Sequence, residues 1–582
     1  MDNISKVVVA EALKVDSYLA YNFSSHFENL EKSLDGGSEA SLLEIYGIIR
    51  NVCQFLLQPK QPSPFAPMWE MQGKRSMIPD DLSDEQLDKI ATLTDINLPP
   101  TLMARLCDIL WLRRRDHIFA RKAIISYLDI AENCVDEHWP YSADCARRAV
   151  RIANGLGRKA PERNTVCAKL LELFEFAINA KYQDNRRHWP HAAAEILVDE
   201  CQNIDYVDIA NKCQMLGDSM VDAWTKEGYY ELAANAFAKA HLPEERKKVL
   251  NRLGECWEQE ADKFRTQEGG NGMQIAHRLE KAINAFRKAG ESESAERALR
   301  GFQQANKLTI TQMKPLRVKF DMTRFLNDVE KQMAGKIGCD ALEAFIKIRR
   351  IESFASAYKA AQEEANKPSI RKFADSTSLV EEGNISARRE GGLEASASDV
   401  IQELVNRYSL SHSISAALLE KARIILLKDN KKTWVDALKS LVQQNEFVPE
   451  DRQNIYFRAI VAGVDGDWLL FAHLIIPQLE NSLRQLVGLA GGKTTAYRSD
   501  LMKERDLNQF LTENEPGKDV ITLIGEDLTW ELRTLLIEQS GANLRNRICH
   551  GLASEEECNG CSIIILLWLT LVILSCTEQY MT

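Results

Sequence analysis

Along almost the whole chain apolar residues return every three or four positions, and the two-residue alternation of a half-buried strand hardly occurs. Stretches such as TVCAKLLELFEFAINAKY and AHRLEKAINAFRKAG carry this spacing over several turns, the signature of helices with one buried face. Short polar or Gly/Pro breaks separate them, as helical hairpins require. The expected fold class is therefore all-α. A chain of 582 residues is too long for a single core, so several domains are expected.

Two local echoes organise the first part. His138-Trp139-Pro140 opens HWPYSADCARRAVRIANGLG, and His188-Trp189-Pro190 opens HWPHAAAEILVDECQ, 50 residues later. In both, proline falls where a first helical turn tolerates a missing N–H, and the tryptophan before it can pin the helix start to a neighbour. GYYELAANAFAKAHLPEER and LEKAINAFRKAGESESAERAL share the small-residue and aromatic spacing of tetratricopeptide-like hairpins. Residues 1–365 thus read as an irregular, repeat-like helical region, suited to binding or regulating a protein partner. Residues 366–398 are polar, contain Gly-Gly and lack a sustained apolar face, which reads as a linker or long loop. Helical patterning resumes over 399–582.

A net charge of −11 argues against a nucleic-acid binder that uses its whole surface; a polyanion site would be a local basic pocket. Thirteen cysteines without framework spacing favour a reducing compartment, and a cytoplasmic protein is expected. The start, MDNISKVVVAEALKVDSYLAYNF, reads as an amphipathic helix instead of a signal peptide. Ser562–Cys576, SIIILLWLTLVILSC, is shorter than the roughly 20 residues of a bilayer span. A buried core helix is expected there, with a membrane anchor as the weaker alternative.

The candidate chemistry lies just before that apolar run, in GANLRNRICHGL, Gly541–Leu552. At about 100° per residue, Asn543, Asn546, Arg547 and His550 share one helical face and Leu544, Ile548 and Leu552 another, the expected buried one. Arg545 lies about 140° from His550, so the two meet only through a distorted helix, a long reach or a second protomer. Upstream, HLIIPQLENSLRQLVGLAGG aligns His473, Glu480 and Arg484 at spacings of seven and four, one polar stripe on an apolar helix. Pro477 predicts a kink near His473. Glu480–Arg484 is either a surface ion pair or part of a site in which Glu480 orients Arg545 or His550.

Three other patterns carry weaker chemistry. Cys549, His550, Cys558 and Cys561 could be counted as four zinc ligands, but two adjacent in sequence make poor tetrahedral geometry, and no metal is expected. LAGGKTTAYR lacks the first glycine of a phosphate-binding loop and follows a helix, so a plain loop is expected. WLRRRDH, Trp111–His117, reads as a solvated face ahead of an anion site.

Arg545-Asn546, three residues, then His550-Gly551 resembles the RN-x-x-x-HG signature of a family of unknown function and fits the R-x(4–6)-H motif of the HEPN superfamily. The Glu480-x-x-x-Arg484 pair after Pro477 is similar to that family's first motif helix. The resemblance covers roughly residues 470–570. It implies a HEPN-like C-terminal bundle that acts on RNA or a nucleotide, commonly as a homodimer and without a metal or other cofactor. In that reading Arg545 stabilises charge on the phosphorane, His550 moves protons, and Asn546, Glu480, Arg484 and His473 support them. Superfamily members recur in toxin and antiviral systems, which suggests such a role by analogy. The alternative is a non-catalytic helical scaffold or an RNA- or nucleotide-binding protein that uses the same domain for dimerisation or binding.

Overall fold

In the computed structural model the described residues are 3–34, 40–71, 73–179, 188–266, 270–314, 320–367, 376–379, 383–389, 395–498, 501–512 and 519–580. The fold is all-α. Helices account for nearly all regular structure, and the described strands form only four two-stranded antiparallel pairs. The chain divides into two compact units, Met1–Leu308 and Thr309–Thr582.

The first unit is a run of antiparallel helical hairpins. Most of its helices bury one stripe, as three- and four-residue apolar spacing dictates, while Pro100–Arg114 is buried on nearly every side. The two HWP segments both begin helices, with one difference. At the first, extended backbone at His138 (φ −159°, ψ 86°) interrupts the helix Val135–Gly155, and His138 Nδ1 accepts the backbone N–H of Tyr141 at 3.1 Å. That is an N-cap made by a histidine ring. At the second, Trp189–Glu200 starts with Pro190 in its first turn and no side-chain cap. The echoes also touch, the Trp139 ring lying 5.5 Å from that of His188. Trp189 is buried in the core.

Of the Trp111–His117 arginines, Arg114 and Arg115 are exposed, as a solvated face requires, and Arg113 is half-buried. Arg113 donates to the carbonyls of Pro79 and Leu82, Arg114 pairs with Asp88, and Arg115 lies over the Trp111 ring at 5.5 Å. Structural work occupies all three, so nothing there points to an anion site.

The second unit begins earlier than the sequence suggests. Helices Thr323–Met333, Gly338–Ile346 and Phe354–Asn366 were expected in the N-terminal region but pack within the second unit. Phe345 lies 5.6 Å from Trp434, and the Ile346 carbonyl accepts Trp568 Nε1–H at 2.9 Å. Amphipathic helices look alike on either side of a boundary, so periodicity cannot assign them. The polar stretch 366–398 is likewise no connection between units. It lies inside the second and contains the hairpin Ser376–Leu379/Ile385–Arg389; residues 368–375, 380–382 and 390–394 fall outside the described residues.

The 47-residue helix Ala397–Gln443 follows, then Gln453–Asp465, Trp468–Leu489, Glu526–Leu536, the short Leu544–Cys549 and the closing helix Cys561–Tyr580. The closing helix is apolar on every side, which forces it inside. Ile563 through Leu574 are buried without exception, and Asn445 Nδ2 donates to the Leu574 carbonyl at 2.6 Å. Among the described residues the segment Glu555–Cys576 is long and apolar enough to cross a membrane, and most of its apolar stretch is buried inside the protein. It is the centre of this unit's core.

Candidate functional site

The segment carrying Arg545 and His550 is shaped by its neighbours before its own helix begins. A Cβ on Gly541 would stand 2.2 Å from the Thr534 carbonyl oxygen, so only glycine allows the chain to double back against helix Glu526–Leu536. Asn543 then adopts the left-handed conformation (φ 49°, ψ 34°), which asparagine tolerates better than most residues. The helix runs for six residues, Leu544–Cys549, and ends in a Schellman motif: Leu552 N–H donates to the Arg547 carbonyl at 2.7 Å and Gly551 N–H to that of Ile548 at 3.1 Å. Gly551 sits at φ 68°, so the His-Gly pair is the helix cap and the residue that turns out of it. Leu544 and Ile548 are buried as expected, but Leu552 is 54% exposed. The turn at Gly551 removes it from the helical face that spacing alone assigns.

Glu480 organises the polar side. One carboxylate oxygen, Oε2, accepts Arg545 Nε–H at 3.1 Å, and the other, Oε1, accepts Arg484 Nη2–H at 3.0 Å. Arg545 Nη1 also donates to Asn546 Oδ1 at 3.1 Å, and Asn546 Nδ2 donates to Asn543 Oδ1 at 2.8 Å. Arg484 additionally donates to the Arg505 carbonyl at 3.1 Å, and the guanidinium groups of Arg484 and Arg505 flank the Phe510 ring at 5.8 and 5.3 Å. The side chains of Glu480, Arg545 and Arg484 are 15, 15 and 21% exposed, a half-buried triad with one more positive than negative charge. Partial burial strengthens these contacts over those of a surface pair.

The other expected members lie apart. His473 is exposed, its Nδ1 2.8 Å from the Leu469 carbonyl of its own helix, and it does not join the triad. Helix Trp468–Leu489 runs through Pro477 as one element. Arg547 turns away from Asn546 to make a two-point contact with Glu557, at 2.8 and 3.0 Å. His550 is exposed, and its ring has no hydrogen-bond or ion-pair partner among the described residues. Within one chain, then, Glu480, Arg484, Arg545 and Asn546 come together and His550 and His473 do not join them.

The glycines of LAGGKTTAYR end a helix in the same way as Gly551: Gly492 N–H reaches the Val487 carbonyl and Gly491 N–H that of Gly488. Among the described residues no group of three or more His, Cys, Asp or Glu side chains is arranged to hold a metal ion. All thirteen cysteines are free thiols.

Two features went unnoticed in the sequence. Glu531 is fully buried between Arg349 (2.6 Å) and His412 Nε2 (2.7 Å), and the Arg349 guanidinium lies 4.5 Å from the centre of the Trp568 ring. Burial works to raise the Glu531 pKa, and His412 and Arg349 outweigh it, leaving the carboxyl below its ordinary range. A lone carboxylate inside LTWELRTLL was the available signal, but its partners lie 182 and 119 residues away. The second feature is a cavity of about 380 Å3 on the Arg547 side of the short helix. No local pattern announces it, because its walls come from three separate turns.

A family model described as a domain of unknown function (DUF7380) matches residues 2–165. That match lies wholly in the first unit and leaves the Arg545–His550 segment outside it. No curated protein matches the chain. A solved structure described as a circular tandem repeat protein with novel repeat topology and enhanced subunit contact surfaces is 13% identical over 96% of this chain and 91% of that one. Its TM-score is 0.11, at which the likeness carries no argument.

Proposed function

We propose that the second unit is a metal-independent endoribonuclease of HEPN type, acting as a homodimer in the cytoplasm, with the helical-hairpin unit serving partner recognition or regulation. One observation carries this reading. Arg545 is held in place by Glu480 and Asn546, while five residues on, about 140° around the helix, the His550 ring stands exposed with no partner among the described residues. A fixed cation and a free imidazole are what phosphodiester cleavage by an internal hydroxyl requires, and a facing second protomer would bring the two to one phosphate.

In the proposed reaction one imidazole takes the proton of the ribose 2′-hydroxyl as its oxygen attacks the adjacent phosphorus. A second imidazole, protonated, gives its proton to the departing 5′-oxygen. The P–O5′ bond breaks as the P–O2′ bond forms, leaving a 2′,3′-cyclic phosphate and a 5′-hydroxyl. Arg545 stabilises the charge that builds on the non-bridging oxygens. A single chain supplies one such histidine, so the second comes from the partner protomer across a two-fold axis.

Full-length protein and His550→Ala, incubated with total RNA in EDTA, test the reading. The wild type should produce 2′,3′-cyclic ends, and the variant should lose roughly 10²-fold or more of that activity. Equal, background-level cleavage by both would overturn the nuclease. A specific observation favours the alternative in that event: two Arg545 donors are already occupied by Glu480 and Asn546, as in a non-catalytic RNA-binding or dimerisation module. Full activity from a strictly monomeric protein would remove the shared site.

A further inference from the structure

The cavity beside the short helix is mainly apolar, with a few neutral polar groups and one balanced ion pair in its wall. Gln539, Asn543 and Ser562 line it together with the apolar Leu544, Ile548 and Ala553. Arg547 and Glu557 also line it, but they neutralise one another through their two-point contact, so no spare charge invites a phosphate. The remaining polar groups, Gln539, Asn543 and Ser562, are neutral. The Gln539 amide and the Ser562 hydroxyl have no partner among the described residues. Asn543 uses its carbonyl oxygen to accept from Asn546, and no described group takes its NH2.

Three neutral groups able to donate or accept, set among aliphatic walls, match the edge and faces of a nucleobase. The volume of about 380 Å3 falls in the ordinary range of ligand pockets, about 300–1,000 Å3. Arg547, Ile548 and Ala553, which flank His550 along the chain, line the cavity, so it opens beside the segment that carries His550. We infer that this cavity receives one base of the RNA, next to the phosphodiester that His550 acts on. The inference rests on the nuclease reading above and assigns to that site its base-recognition pocket.

Calorimetric titration of the full-length protein with the four nucleoside 5′-monophosphates, with ribose 5-phosphate and with homopentaribonucleotides tests it. At least one monophosphate should bind tenfold or more tightly than ribose 5-phosphate. A pentaribonucleotide of the same base that binds at least as well marks RNA as the source of that base, and one that fails to bind marks a free nucleotide and overturns the assignment to RNA. Gln539→Leu, at an exposed position, and Ala553→Phe, which fills the space, should each weaken that binding at least tenfold, with circular dichroism confirming an unchanged fold. Equal binding of ribose 5-phosphate, no binding by any monophosphate, or unaltered binding by both folded variants would overturn the pocket. The two readings fail separately. Base-dependent binding without cleavage by the wild type would sink the nuclease alone, and cleavage whose KM ignores both variants would sink the pocket alone.

Discussion

Glu531 and Glu480 each hold two basic side chains within the second unit, and the contrast between them separates architecture from candidate chemistry. Glu531 is wholly inside, gripped by Arg349 and His412 at 2.6 and 2.7 Å, with Arg349 packed over a core tryptophan. Glu480 lies at the edge of the bundle, and its contacts to Arg545 and Arg484 are longer, 3.1 and 3.0 Å. A buried charge must be matched locally because water cannot reach it. A half-buried one can share its partner with an incoming anion. The same residue types thus serve the core in one place and can face a ligand in the other.

The largest expected break in this comparison is Glu531→Ala. It strands Arg349 in the core, and urea unfolding should show a loss of about 3–5 kcal/mol. The same pair sets an acid limb. The folded carboxyl has a pKa below that of the unfolded chain, so its stabilisation is complete above the unfolded value and is lost as pH falls through the folded one. Midpoints measured from pH 7 downward should decline through that window in the wild type and less steeply in Glu531→Gln.

Gly541→Ala comes next. Its Cβ meets the Thr534 carbonyl, and moving the backbone should cost about 1–3 kcal/mol, read by the same titration. Because this glycine sets the angle at which the short helix leaves its neighbour, RNA cleavage should fall with it.

Glu480→Gln should change stability by only about 1 kcal/mol yet lower cleavage by releasing Arg545. Unchanged cleavage, with the fold intact, would place Glu480 with Glu531 as architecture. The smallest stability effect belongs to His550→Ala. An exposed ring without partners among the described residues should leave unfolding stability within about 0.5 kcal/mol of wild type. A larger shift would show that the ring packs against something, and the separation of site from scaffold would fail there.

Much of this was legible in the linear pattern. Three- and four-residue periodicity is a local property of a helix, so the all-α class, the helical starts at Trp139 and Trp189 and the burial of Leu544 and Ile548 could be read without coordinates. The Glu480–Arg484 pair was legible for the same reason, since residues four apart on a helix are neighbours. The apolar run at Ser562–Cys576 could only be a core or membrane helix, and its fate depended on what surrounds it.

Other features belong to the packed chain. Helices 323–366 joined the second unit because Phe345 and the Ile346 carbonyl meet Trp434 and Trp568 there, contacts that no window of sequence contains. Leu552 and His473 left their expected roles because a turn at Gly551 and a carbonyl at Leu469 lie closer than any site partner. By itself the sequence determined which residues form helices and which faces are apolar, because those depend on φ/ψ preferences and side-chain spacing within a few residues. Tertiary structure alone decided that Arg545 meets Glu480 across 65 positions, that the His550 ring has no partner among the described residues and that a cavity opens beside the segment carrying it. Those outcomes depend on how distant helices close on one another, where hydrogen-bond reach of about 3 Å selects partners irrespective of their separation along the chain.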